Sequence, residues 1–422
     1  MVTVTHQSSG TPTDTEAPRD TPLIDEHRRL GAKLIEFAGW RLPVWYTSVA
    51  QEHAAVREAA GLFDVGHMGV LELSGEGVER FLDAVTTGWA SRLERGHGRY
   101  TFLLDHDGLP IDDIIIFRLV DDRFLAVVNA ANAERVTRWL RDLAGGREPL
   151  SEEEPERRAL GAVEIRDLRS DDAGENQRML LALQGPASAE VLCELAGGEA
   201  CPALDLKRFA ITEAVLDGRP VMISRTGYTG EDVGFELFVH PEGAADLWCR
   251  ILEVGGSRAV LPAGLAARDS LRVEVGLPLF GHELAGPHQI TPMGAGYAPF
   301  VALDKPFFVG REGLLAREEK RDHRVARFCV DDEGARAIRG GDPIATARGE
   351  FAGWVTSCAL VGSRQIGMAW VQQGAASEGA AVLIYPARQF ERATDSRSAE
   401  ELQPSDRLPI HVRATVLPRF ER

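Results

Sequence analysis

Apolar positions change their period several times along the chain. Between Pro22 and Leu34 they recur at helical spacing, and Glu52 to Ala60 predicts a second helix ended by Gly61. "LFDVGHMGVLELSG" predicts strand, loop, strand. A helical period returns with Val78, Phe81, Leu82 and Val85. Tyr100 to Asp105 then predicts a strand, "DHDG" a hairpin turn, and "GLPIDDIIIF" the returning strand. Asp121 and Asp122 turn the chain into a third strand, "RFLAVV", which ends at Asn129. A helix follows with Val136, Trp139, Leu140 and Leu143 on one face. A meander followed by a helix is an α+β pattern.

Residues 145–178 are rich in Glu, Arg, Asp and Gly and predict a solvated insertion, broken by one short strand, "AVEI". "MLLALQGPASAEVLCELAG" gives a strand, a Gly-Pro turn and a helix. "RPVMISRTGYTGEDVGFELFV" gives a strand, a Gly-rich loop and a strand. A helix is expected from just after Pro262 to Gly276. "TPMGAGYAPFVALDKPFFVGREGL" is irregular and aromatic, as an inter-domain segment would be. From about Asp322, short strands alternate with glycine turns, the spacing of a small all-β domain such as a barrel.

The 422 residues exceed one ordinary core and predict two or three domains. A net charge of −17 excludes non-specific nucleic-acid binding, so an anionic ligand needs a local cluster of Arg or backbone N–H groups. Residues 1–20 have neither the apolar core nor the basic start of a signal peptide and are expected to be a disordered tail, with order from near Thr21. No apolar run is long enough to span a bilayer. The five cysteines, Cys193, Cys201, Cys249, Cys329 and Cys358, form no CxxC pair and predict reduced, buried thiols in a cytosol.

Several chemistries lack their residues. No HExxH, His-x-His or zinc spacing occurs, and no metal is expected. His67 and His282 stand alone, as structural hydrogen-bonders do. A GxSxG elbow, a phosphate-binding GxxxxGK[ST] and a dinucleotide GxGxxG are all absent. Polar residues at element ends remain. Strand alternation puts Asp113 on a face with Ile111, Ile115 and Phe117, and Asp112 on the other with Ile114 and Ile116. A carboxylate at the edge of a dry pocket either finds donors or takes a raised pKa. Tyr100 and Asn129, at the ends of flanking strands, can meet Asp113 at one sheet edge. "RTGYTGED" adds Arg225, Tyr228 and Glu231 on a loop whose glycines let a flat ligand approach closely. Arg268 and Arg272 lie one helical turn apart. Each has a structural alternative: Asp113 as a turn cap, Tyr228 as core, Arg268 paired with Asp269 or Glu274. As a set they suit a heteroaromatic acid.

"FAGWRLPVWY", "AAGLFDVGHMG", "GLPIDDIIIF", "RTGYTGED" and "GLAARDSLRVEVGLPLFG" occur in the order in which similar motifs run in the aminomethyltransferase family, the T-protein of the glycine cleavage system, which the chain resembles. The resemblance implies a three-domain cloverleaf: two interleaved α+β domains with antiparallel sheets in residues 21–305, and a β-barrel-like domain in residues 306–422. It implies an enzyme that moves an aminomethyl group from the lipoyl arm of H-protein to tetrahydrofolate, making 5,10-methylenetetrahydrofolate and ammonia. Asp113 takes the catalytic role in that comparison. Tyr100, Asn129, Tyr228 and Glu236 take folate contacts, and Arg268 a place near the folate's glutamate tail. "GEDVGFEL" has one residue more than the family's "GEDGFEL", which implies a bulge before Glu236. A folate-dependent demethylase or other one-carbon transferase with a small donor stays open. So does a non-enzymatic folate-binding accessory protein, although its "KGCYxGQE" signature is absent here.

Overall fold

The computed structural model describes residues 17–154, 161–197, 201–386 and 411–420. A five-stranded antiparallel sheet runs, in spatial order, His97–Leu104, Pro110–Val120, Arg123–Val128, Gly69–Ser74 and Glu164–Asp167. A six-stranded sheet runs Ile211–Leu216, Arg219–Ser224, Gly234–Val239, Met179–Gln184, Ala60–Asp64 and Val260–Pro262, with only its last pair parallel. The chain enters the six-stranded sheet, leaves to build the five-stranded one, and returns, so the two are interleaved in sequence. A closed six-stranded barrel, from His323–Val330 to Val412–Leu417, completes the α+β architecture expected.

Three apolar layers follow from strand alternation. One face of the six-stranded sheet (Phe235, Leu237, Val239) packs on helices Ser188–Leu195 and Pro241–Gly255. One face of the five-stranded sheet (Ile114, Ile116, Ala126) packs on helices Val78–Val85 and Ala133–Ala144. The remaining faces meet each other: Phe117, Leu125 and Val127 from one sheet touch Phe63, Ala182 and Phe238 from the other, with Ala267 and Leu271 of helix Leu265–Val275. That helix stops at Gly276 in a left-handed conformation, as expected.

Several local expectations change. Pro22–Leu34 is not one helix: Ile24–Arg29 is helical, Gly31 takes φ +71°, and Lys33–Phe37 is a strand. Gly61 does not end the helix Val49–Glu58 but lies in strand Ala60–Asp64, where a Cβ would come 2.5 Å from Val56 Cγ2. Close helix-on-strand packing requires that glycine. Ordered chain precedes Thr21, since Arg19–Asp20 pairs with Trp40 and Arg41; residues 1–16 of the expected tail lie outside the described residues. Glu164–Asp167, within the charged stretch 145–178, is an edge strand. The five cysteines are not all thiols. Cys193 lies in the last turn of helix Ser188–Leu195 and Cys201 precedes the short helix Pro202–Asp205; their Cα atoms come to 4.9 Å and the two form a disulfide. Cys249, Cys329 and Cys358 remain free and half-buried. The two cysteines stand eight residues apart, so the pairing has no CxxC signature.

Candidate active site

The Gly108 hairpin lays His97–Leu104 against Pro110–Val120, pairing Tyr100 with Ile115 and Phe102 with Asp113. A register shift beside Leu103 and Leu104 alters the alternation at the strand's start. Ile111 therefore joins Ile114 and Ile116 in the helix-covered layer, instead of sharing a face with Asp113 as the sequence predicts. Asp113 keeps its place on the Ile115 and Phe117 side, facing the six-stranded sheet.

Tyr100, Asp113 and Asn129 form one hydrogen-bonded group. The Tyr100 hydroxyl donates to Asp113 Oδ2 (2.8 Å), and Asn129 Nδ2 donates to Asp113 Oδ1 (2.9 Å). Asp112, fully buried, is anchored by the Asn129 backbone N–H (2.9 Å) and by Asn132 Nδ2 (2.7 Å). Burial pushes the Asp113 carboxyl up to about 6, against the lowering effect of Tyr100 and Asn129. Burial, then the neighbouring Asp113 charge, raises Asp112 as well. Two adjoining acids in a dry place share charge poorly, so desolvation outweighs the donors. Asn132 is absent from the sequence reading; its signal was "NAAN", two amides at a strand-to-helix turn.

A second group faces the first. Arg268 lies over the Tyr228 ring at 4.8 Å, and the Tyr228 hydroxyl donates to the Pro278 carbonyl. Glu236 is buried and accepts from Thr226 Oγ1 at 2.5 Å. Burial raises the Glu236 carboxyl and lowers Arg268, each opposed in part by the other's charge. Arg268 pairs with neither Asp269 nor Glu274. Asp269 holds Arg272, Glu274 holds Arg57 and His53, and Arg268 Nη1 is buried without a hydrogen-bond partner among the described residues. Glu236 needs no bulge: the strand Gly234–Val239 pairs regularly on both sides, and the loop before it absorbs the extra residue. The Asp113 charge reaches Tyr228, and Tyr228 in turn acts on Tyr100, so the two groups share one electrostatic environment.

The other candidates are structural. Arg225 holds the carbonyls of Leu206 and Asp232, and Glu231 pairs with Arg57. Arg272 is buried between Glu283 (2.7 Å), Asp269 and barrel residue Ser357 (2.7 Å). The irregular aromatic segment supplies Tyr297 and Phe300, whose rings lie 5.4 and 5.2 Å from that of Tyr100. Clefts of 560 and 370 Å³ flank helix Arg311–Lys320 and the barrel; none of the six predicted site residues lines either. Among the described residues no group of three or more His, Cys, Asp or Glu could hold a metal ion, and no helix is long and apolar enough to cross a membrane.

The profile of the GCVT N-terminal domain family matches residues 23–305, two thirds of the sequence and all of the site elements. The chain belongs to the aminomethyltransferase family. An aminomethyltransferase of Streptomyces avermitilis is 41% identical over 372 residues, 86% of this chain and 92% of that protein. One from Desulfitobacterium hafniense Y51 is 44% identical over 300 residues, 71% of this chain and 75% of that one. The crystal structure of glycine cleavage system aminomethyltransferase T from Bartonella henselae superimposes with a TM-score of 0.77 at 30% identity, covering 95% of this chain and 97% of that one. This family member is accordingly an enzyme, a group transferase, with the fold of the glycine cleavage T-protein.

Proposed function

We propose that this aminomethyltransferase takes the aminomethyl group from the dihydrolipoyl arm of H-protein and passes its methylene carbon to tetrahydrofolate, releasing ammonia. The observation that carries this reading is the Asp113 carboxyl, held at both oxygens by Tyr100 and Asn129 and raised to about 6. A methylene that loses ammonia and its bond to the dihydrolipoyl sulfur, which leaves as the thiol, and gains two bonds to folate nitrogens needs a group that orients the nucleophilic nitrogen and exchanges a proton near neutrality. Asp113 meets both needs. Asp112 keeps the strand end fixed through Asn129 and Asn132, so the carboxyl does not wander from its substrate.

Glu236 and Arg268 suit the substrate's ring. A carboxylate accepts from ring N–H and amino groups, and a guanidinium donates to a ring carbonyl. Because Glu236 already offsets its charge, Arg268 suits a neutral amide-like edge better than an outlying carboxylate. This moves it from the tail, where the resemblance put it, to the ring. Arg268 also covers one face of the Tyr228 ring. Purified protein incubated with tetrahydrofolate and aminomethyl-loaded H-protein should release ammonia and 5,10-methylenetetrahydrofolate, and neither with one reactant omitted. Tight tetrahydrofolate binding with no product from that donor would overturn the reading.

A further inference from the structure

Within "DVGHMG", His67 reads from sequence as a structural hydrogen-bonder, and its surroundings contradict that. The side chain is 3% exposed, yet its Nδ1 is buried with no hydrogen-bond partner among the described residues. Buried polar atoms are nearly always paired, so a buried imidazole nitrogen of this kind points to a partner outside the chain.

Topology fixes where the residue sits. Asp64 pairs with Leu181, one position from the Ala182–Glu236 pair, and Gly69 pairs with Val128, the residue before Asn129. The Val65–Met68 loop therefore crosses from the Glu236 sheet to the Asn129 sheet at the level of both site groups. It is fastened at each side of His67. Gly66 N–H donates to Asp64 Oδ1 (2.8 Å), Arg169 Nη1 donates to the His67 carbonyl (3.0 Å), and the Phe37 ring meets the imidazole edge-on at 5.8 Å. Burial, with the positive Arg268 and Arg169 nearby and Asp64 opposing, brings the imidazole down to about 4. It is thus neutral at physiological pH and offers one N–H and one lone pair.

We propose that His67 is a substrate-contacting residue that hydrogen-bonds the fused-ring head of the folate, beside the free Nη1 of Arg268 and the carboxylate of Glu236. The loop stands at the register of Glu236 and Asn129, beside the groups assigned above to the ring, so the head and not the glutamate tail is its partner. The inference rests on the tetrahydrofolate reading above.

The test compares two halves of the substrate, 6-methyltetrahydropterin and p-aminobenzoylglutamate, by titration against the full chain. His67→Phe keeps a ring and its contact with Phe37 but removes both nitrogens. It should weaken 6-methyltetrahydropterin roughly three- to tenfold, the equivalent of one neutral hydrogen bond, and leave p-aminobenzoylglutamate unchanged. His67→Asn, which returns a polar atom near the Nδ1 position, should recover part of the loss. In turnover, His67→Phe should raise KM for tetrahydrofolate more than it lowers kcat. If His67→Phe does not fold, His67→Asn against His67→Leu gives the same contrast. Unchanged pterin affinity in the folded variants, or an equal loss for both halves, would overturn the assignment to the head. Failure of the unsubstituted protein to bind tetrahydrofolate or 6-methyltetrahydropterin at all would instead overturn the folate reading, and this inference with it.

Discussion

Asp113 keeps its side chain partly sheltered among Tyr100, Asn129 and a second acid, and that shelter has two measurable consequences. Asp113→Asn should lower turnover by roughly 10²–10⁴-fold, the usual worth of positioned acid–base help. It should also abolish the acidic limb of the kcat/KM profile near pH 6 in a wild-type against variant comparison. Stability should move the other way. The folded carboxyl, at about 6 against an ordinary 3.8, binds its proton more tightly than the unfolded one. The native state gains from this group below about pH 4, and the gain is lost as pH rises through 6. Asp113→Asn should therefore be more stable than wild type at pH 7 by roughly 1–3 kcal/mol, read by urea denaturation, with the difference vanishing at pH 4. At this scale the sequence offers Tyr100, Asp113 and Asn129 as strand-end residues; the structure sets Tyr100 and Asp113 inside strands His97–Leu104 and Pro110–Val120, leaves Asn129 just past a strand end, and joins the three by hydrogen bonds. It does not show which nitrogen of which amide holds which acid, because that depends on the Ile111 register shift and on Asn132.

Helix Leu265–Val275 carries Arg268 toward the site and Arg272 toward the barrel, where it meets buried Glu283 and Ser357. Glu283 Oε2 also accepts from Leu279 N–H (3.1 Å), next to the Pro278 carbonyl that receives the Tyr228 hydroxyl. Arg272→Met leaves a buried carboxylate uncompensated and should cost about 3–5 kcal/mol. Adding Glu283→Leu should restore most of it, as the urea midpoints of the single and double variants will show. Gly276→Ala should destabilise by more than about 1 kcal/mol, since its φ is +84° and a Cβ would lie 2.4 Å from the Arg419 carbonyl. Elements with a clear period and punctuation were legible before the structure: the meander, this helix with its closing glycine, and the alternation of the barrel strands. Short elements were not. Six helical residues before Gly31 and a strand only two residues long carry too little pattern to be separated from their neighbours. The Cys193–Cys201 pair, eight residues apart, matches no spacing motif that would mark it in the sequence. Alkylation of the denatured, unreduced protein should therefore label three cysteines of the five.

Across the whole molecule, the barrel does not hang from the rest. Phe102 and Leu104 from the Asp113 sheet, Val273 from the helix, Tyr297 and Phe308 from the irregular segment, and Val325 and Met368 from the barrel form one buried cluster. A chain ended after residue 305 would expose the apolar face that this cluster covers. Such a truncation should aggregate or lose tetrahydrofolate binding, and a soluble fragment with unchanged affinity would refute the shared core. The contact is also reciprocal at backbone level. Gly108 has φ +78° at the turn of the Asp113 hairpin, and a Cβ there would stand 2.0 Å from Leu314 N; a Cβ on Gly313 would stand 2.4 Å from the carbonyl carbon of Asp107. Two glycines thus let the main chains of a hairpin and a distant helix approach, beside the Arg317 side chain that donates to the Asp107 carbonyl (2.7 Å). Chimeras between relatives, spliced between these two positions, should recombine freely only where both parents kept that pair bare.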